Sequence, residues 1–298
     1  MKILILLPLL YSLHSWSKSS NNRLTLHLTP SPRDLDWRSP RDLIQSALKN
    51  KLTLSPRLLG HAIVELNCDS DHHFVAMSGK DMDYINQLII QRKGLGILFH
   101  SFQGELLDND DLRNEVKALT SSGDSNFVTF LLTPSQCQRS LKYLQEYREN
   151  NVGRYYGLSN RPRFGEGGSS SAFAVSFLDV LNLLDQEMKD SWRQIILVPL
   201  KFSGPPLKDE GVGIIDIMLN ARSWAKENEN HRKLVFWDPD LMHQWVKKKI
   251  EQKENGYDIT TIGTSSGVVF DKSHFPSPPE GIWLQRLKPG NAKVIDDN

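Results

Sequence analysis

The sequence predicts an α+β fold, and three observations carry that expectation. Short apolar runs in the first half have the length and spacing of paired antiparallel strands. A glycine-rich loop then opens into a stretch that is apolar nearly all round, the pattern of a buried helix. In the last third, strand and helix patterns alternate, as in an α/β lobe. With 298 residues and 39% hydrophobic content, the chain can build one large domain or a domain with an accessory lobe. The expected division is an export segment over 1–17, a strand-and-helix domain over 18–190 and an accessory α/β lobe over 191–298.

Taken in order, Lys2 precedes an apolar stretch from Ile3 to Leu13 that is too short to span a bilayer. Ser15-Trp16-Ser17 follows as a small-x-small cleavage site before Lys18, so a periplasmic or secreted mature protein is expected, with no stable membrane insertion once the signal is removed. Leu24 to Leu28 alternates like a strand, and Ser39-Pro40-Arg41-Asp42 starts a helix with a capping serine, a first-turn proline and an acid at the positive end of the dipole. Ala62 to Leu66 and His73 to Met77 read as a β-hairpin around a polar turn from Asn67 to His72. A helix over about 82–92, a strand over Gly96–His100, a helix over Asp111–Leu119 and a strand over Phe127–Leu132 follow. Thr133-Pro134-Ser135-Gln136 starts another helix, which runs to Glu149.

Asn150 to Gly168 has no periodicity and carries five glycines, a composition that marks a functional loop inside a domain. From Ser171 the buried helix begins. Later, Ile195–Leu200 and Leu234–Trp237 read as strands, and Asp238-Pro239-Asp240 caps a helix through Ile250. Ser203–Gly211 and Pro276–Pro279 read as proline-rich linkers.

Charge and cysteines narrow the classes. Lys+Arg 36 against Asp+Glu 35 gives no basic excess, so nucleic acid is not an expected partner. Lys247-Lys248-Lys249 beside Glu251 and Glu254 reads as the wet face of a helix. Cys68 and Cys137 are a disulfide candidate in an exported chain, with two buried thiols as the alternative. Asp69, Asp71, His72 and His73 crowd around Cys68, yet no second ligand cluster has metal-site spacing, so no metal and no cofactor are expected.

The chemistry-bearing constellation pairs two segments. His61 opens a strand, and Ser170 stands where Gly165-Glu166-Gly167-Gly168-Ser169-Ser170-Ser171 enters the buried helix. A helix N-terminus offers unpaired N–H groups and partial positive charge, which suit a nucleophile and its oxyanion. His61 is then the expected base, and His73 or Glu65 the group that orients it.

These residues resemble the circularly permuted papain-like hydrolases, relatives of the NlpC cell-wall peptidases and the lecithin:retinol acyltransferase group. More narrowly, Tyr156-Gly157, then Arg161-Pro162-Arg163-Phe164-Gly165-Glu166-Gly167 and Ser171-Ala172-Phe173 resemble exported bacterial proteins whose loop reads Gly-Glu-Gly, a spacer, then Cys-Ser-Ala-Phe. The resemblance covers about Leu59 to Leu184. It implies a permuted papain-like core, an antiparallel sheet with a nucleophile helix, for the 18–190 domain. It also implies hydrolysis or acyl transfer at an amide or ester carbonyl, with a peptide, peptidoglycan or acyl substrate. The family cysteine falls on Ser170 and the family histidine on His61. Arg161, Arg163 and Glu166 are the loop residues expected to bind substrate.

Serine at 170 departs from the pattern, because a hydroxyl is a far weaker nucleophile than a thiolate. Low activity follows, and a cysteine returned to 170 is expected to gain reactivity from His61. A catalytically inactive protein that binds in the inherited groove is the alternative. A weaker one is an α/β-hydrolase-type serine esterase, with Gly168–Ala172 as nucleophile elbow and His243 or His274 as base.

Overall fold

Alternation sets the first strand: Leu24, Leu26 and Leu28 are fully buried on one face of β1 (Arg23–Thr29), and Thr25 and His27 are buried on the other. This computed structural model describes residues 22–51, 59–80, 82–83, 86–108 and 110–285, so the expected export segment lies outside it. The remaining strands are β2 (His61–Cys68), β3 (Asp71–Gly79), β4 (Phe102–Asp108), β5 (Asn126–Leu131), β6 (Tyr155–Tyr156), β7 (Arg193–Pro199), β8 (His231–Trp237), β9 (Asp258–Ile262) and β10 (Ser265–Asp271). The helices are α1 (Pro40–Lys51), α2 (Asp110–Ser122), α3 (Pro134–Glu149), α4 (Ser170–Val180), α5 (Gln186–Trp192), α6 (Ile214–Asn220) and α7 (Pro239–Gln252).

The fold is α+β. One large sheet runs in the order β6-β4-β3-β2-β1-β5-β10-β9, antiparallel throughout except where β10 lies parallel to β5. β1 sits between β2 and β5, with Leu26 opposite both Val64 and Val128. Helices α3, α4 and α7 cover one face, and the core there joins Val64 and Val128 to Tyr147, Phe177 and Trp245. On the opposite face Leu112 and Val116 of α2 meet Ile63 and Phe74. Cys68, which ends β2, is bonded to Cys137 in the first turn of α3, with the Cα atoms 5.6 Å apart. That bond fastens α3 to the sheet and closes a loop of 69 residues, worth about 4 kcal/mol in a chain-entropy account.

A second, smaller core lies beside the sheet and draws on distant parts of the chain. Leu43 and Ile44 of α1, Leu95 and Leu98, Ile217 of α6, and Ile196 and Leu234 of the separate β7–β8 ribbon pack together. The segment from 191 onward therefore does not form a lobe of its own. Its ribbon and α6 share a core with α1, while α7, β9 and β10 return to complete the main sheet.

Three local expectations change. The β2–β3 turn is confined to Asp69 and Ser70, with Asp69 at φ 52°, so the hairpin strands are longer than their apolar cores suggest. The helix expected over 82–92 is a single π turn at Asn86–Ile90 among the described residues. The apolar run at Gly96–His100 is a 3₁₀ turn, Leu95–Phe99, because it is pressed against a neighbouring chain segment: a Cβ on Gly96 would lie 2.3 Å from the Gly204 carbonyl oxygen. A short apolar run does not by itself distinguish a strand from any other buried segment. The strand falls instead at β4, whose mixed sequence hides it.

Helix α4 is largely apolar because it is covered on nearly every side; Phe173 and Phe177 are fully buried, edge-on to each other, and Phe177 is edge-on to Tyr143. Phe177→Ala should therefore cost about 3–5 kcal/mol of stability in urea unfolding. A loss below about 1 kcal/mol would mean that α4 does not hold this central place.

Candidate functional site

The loop before α4 takes its path from glycine. Gly165 and Gly167 have φ of 75° and 76°, and a Cβ on Gly167 would lie 2.0 Å from the Tyr155 carbonyl oxygen. Ser169 is the N-cap of α4, its Oγ accepting the Ala172 N–H at 3.2 Å. Ser170 is then the first helical residue and only 2% exposed. Its Oγ accepts the Ala62 N–H at 3.4 Å, and Ser171 donates to the Trp237 carbonyl oxygen at 2.6 Å. Three elements, β2, α4 and β8, are thus stitched at one point.

The structure brings the His61 segment to Ser170 through the backbone. Along β2, Ala62, Val64 and Leu66 face the core under α4, so alternation gives His61 the opposite parity, shared with Ile63 and Glu65. The cavity at Ser170 has a volume of about 20 Å³ and is lined by Gly60 rather than His61.

The residues expected to orient His61 are engaged elsewhere. His73 lies opposite Leu66, hence on the other face and far along the strand from His61, with its Nδ1 4.0 Å from Asp108. Glu65 has the right parity, but its carboxylate sits 2.9 Å from His27 Nε2, 3.0 Å from His72 Nε2 and 3.4 Å from Arg23 Nη2. Burial works against the Glu65 charge, yet the His27 and His72 hydrogen bonds, with the charges of His27 and Arg23, outweigh it and hold its pKa at about 2. This is a buried structural knot.

The loop residues expected to bind substrate are also largely turned inward. Arg163 donates to Asp179 Oδ2 at 2.7 Å and to the carbonyl oxygens of Gly281 and Ile282 at 2.8 and 2.9 Å. Glu166 is buried and accepts from the Arg161 N–H at 2.9 Å and from the Arg161 guanidinium, which also lies over Phe164.

The weaker alternatives fare no better. The elbow reading needs a buried strand before Ser170, and Pro162–Phe164 is a 3₁₀ turn. His243 is buried in α7, and burial, with Lys247, pushes its pKa down to about 4. His274 lies beyond β10 and is exposed. Lys249 is not on a wet helix face; it is buried between Glu187 at 2.9 Å and Glu254 at 3.1 Å. The disulfide removes the Cys68 thiolate that a metal reading of the neighbouring His and Asp side chains would require.

Two acids at the Ser170 cavity were legible in the sequence only as a helix cap. Asp238 and Asp240 line it together with Ser169, Ser170 and Ser171. Asp238 caps α7, its Oδ1 accepting the Asp240 N–H at 2.9 Å. The Asp240 carboxylate accepts the Ser31 N–H and hydroxyl, both at 2.6 Å, and Ser31 Oγ in turn accepts the Gly60 N–H at 2.8 Å. Burial, then the neighbouring Asp240 charge, pushes the Asp238 pKa up to about 6.

Beside this closed cavity lies an open one of about 1010 Å³. The two share Leu158 and Phe236 in their walls. One side of the groove is the Arg161–Phe164 loop and α4, and the other is the β7–β8 ribbon. Its lining carries Arg161, Arg163, Lys189, Arg193, Arg232 and Lys233 against the single acid Asp179, in a chain whose net charge is only +1. Arg161 and Arg163 are paired with Glu166 and Asp179, so the excess positive charge of the groove rests on Lys189 and Lys233, with Arg193 3.8 Å from the exposed Asp190.

No family model, curated protein or solved structure matches the chain.

Asp238 supplies a pH test. A carboxyl whose pKa is raised on folding gives stability that is fully present below its unfolded value and lost as pH rises through the folded one, here between about pH 4 and 6. His243, with its lowered pKa, has the opposite slope over much of that window, so the difference between variant and parent is the informative quantity. Asp238→Asn keeps a good cap and removes the charge. Its stability relative to the parent should rise from pH 4 to 6 and reach about 1–3 kcal/mol at neutral pH. A flat difference would mean that Asp238 titrates normally.

Proposed function

We propose that this chain is an exported groove-binding protein built on a permuted papain-like scaffold, in which the nucleophile position is closed and does not turn over substrate. The observation that carries the reading is the contrast between the two adjoining cavities. Ser170 is 2% exposed in a space of about 20 Å³, with room for little more than a water molecule, whereas the groove beside it holds about 1010 Å³. Acyl transfer needs a nucleophile that a carbonyl carbon can approach, a base at hydrogen-bond distance and free donors for the oxyanion. Here the Ser170 oxygen accepts a backbone N–H, and β2 alternation turns His61 toward the other face. The groove keeps everything that binding requires: volume, polar termini and apolar walls.

A second reading, hydrolysis of a small ester or amide by Ser170 itself, is favoured by one observation. Asp238, with its pKa near 6, lines the same cavity and is a base of suitable strength at neutral pH. In that scheme Ser170 Oγ attacks the carbonyl carbon, the N–H groups of Ser170 and Ser171 receive the oxyanion, Asp238 takes the hydroxyl proton and passes it to the departing alcohol or amine, and water then hydrolyses the ester left on Ser170.

One experiment separates the two. The unaltered protein is treated with a fluorophosphonate and, in parallel, with a p-nitrophenyl ester. The binding reading predicts no adduct on Ser170 by peptide mass analysis and no hydrolysis above that of the Ser170→Ala variant. An adduct at Ser170, lost in Asp238→Asn or His61→Ala, would establish the catalytic reading instead.

A further inference from the structure

We infer that the basic groove takes an acidic peptide in extended conformation, which adds to the free edge of β8 as a third strand of the ribbon. The inference rests on the groove-binding reading above and names the ligand class for it.

The first support is the way β8 meets the groove. Among the described residues β8 pairs with β7 alone. Arg232, Lys233, Val235, Phe236 and Trp237 all line the cavity. A strand that presents a face contributes alternate residues, whereas one that presents its edge contributes consecutive ones. The groove is therefore bounded by an edge, whose outward N–H and C=O groups are a template for a further strand. Its far end is closed where the Trp237 carbonyl oxygen accepts the Ser171 hydroxyl at 2.6 Å, which sets a stop for anything laid along it.

Charge supplies the second support. A strand added beside β8 would run past Lys233 on the ribbon, with Lys189 and Arg193 near its closed end. Arg193 is seated over Trp237, 5.7 Å from the ring centroid, so its guanidinium plane is held by an aromatic face, whereas Arg161, over Phe164, already carries the Glu166 carboxylate. A planar guanidinium group so held suits a carboxylate. The lining also carries apolar residues, Val175, Leu184 and Val235 among them. Successive side chains of a strand point to opposite sides, so a chain alternating acidic and apolar residues satisfies both kinds of lining residue. An acidic glycan would meet the same charges but would leave the strand edge unpaired, and for that reason the peptide is the ligand assigned.

The test uses the full mature chain and a fluorescein-labelled octapeptide alternating Glu and Val, followed by fluorescence anisotropy at low and physiological ionic strength. Comparators are the same peptide N-methylated at every second residue, in both registers, and an oligogalacturonate of equal charge. The expected result is saturable binding that falls at least about tenfold in the Lys189→Glu/Lys233→Glu double variant and in one N-methylated register. Thermal unfolding of the double variant, at two sites that are not fully buried, checks that it is folded. Absence of binding, or equal binding by both N-methylated peptides, overturns the strand-addition proposal. Tighter binding of the oligogalacturonate, lost in the double variant, overturns the peptide assignment while leaving a groove-binding protein. Binding of the peptide unchanged by the double variant would put the ligand elsewhere. Carrying out the titration in Ser170→Ala as well keeps the result independent of any hydrolysis, so failure here and failure of the non-catalytic reading are read separately.

Discussion

The seating of α4 is the constraint on which the rest of the architecture depends. A helix with Phe173, Phe177 and Leu178 all buried is enclosed by the sheet, by α3 and by the β7–β8 ribbon together, save for the strip at Ala172, Val175 and Asp179 that borders the groove. Its first turn is fixed by three serines with separate tasks. Ser169 caps the helix, Ser170 receives the Ala62 amide from β2, and Ser171 reaches the Trp237 carbonyl of β8. Gly165 and Gly167 bring the chain into that position with positive φ, and at Gly167 a side chain would also meet the Tyr155 carbonyl. A helix held so firmly at its mouth is a good anchor and a poor place for a substrate to enter.

That enclosure separates two properties which papain-like chemistry would require together. The helix mouth has the donors and the dipole, but it is closed; the adjoining groove has the space and the charge, but it reaches the helix below Ser170, at Ala172 and Val175. Buried acids add to the closure. Asp240 anchors Ser31 and, through it, the Gly60 amide, so the chain entering β2 is tied to the start of α7. Together these bonds hold the beginnings of β2, α4 and α7 around one small space.

Much of this was readable from the residues. The Leu24–Leu28 alternation, the Thr133-Pro134-Ser135-Gln136 capping box and the apolar helix from Ser171 are strong local signals, and each is present as an element. The nearness of Ser170 to the His61 segment was legible only through the resemblance to the permuted papain-like hydrolases, which implies a histidine strand beside a nucleophile helix. What local pattern did not carry was parity and long-range company. The tight Asp69–Ser70 turn puts His73 opposite Leu66, a register that the loose polar stretch Asn67–His72 left open. Arg163 and Glu166 were visible as charged loop residues, but their partners Asp179 and Arg161 became evident only in the folded chain. β9 and β10 escaped notice because β9, Asp258–Ile262, is an exposed edge strand of mixed sequence and the apolar run of β10, Ser265–Asp271, is only Val268–Phe270, which pairing with β5 recruits into the sheet.

The claim that organises the account is that position 170 is a buried structural position whose chemistry is not coupled to His61. The most direct test places a thiol there and measures its titration. In Ser170→Cys, thiolate absorbance is followed against pH with the native disulfide intact, in the presence and absence of His61→Ala. Burial should hold the new thiol above the ordinary value of about 8.5, with no change when His61 is removed. A thiol titrating below about 7, and moving upward in the His61→Ala background, would show a working thiolate–imidazole pair and contradict the account.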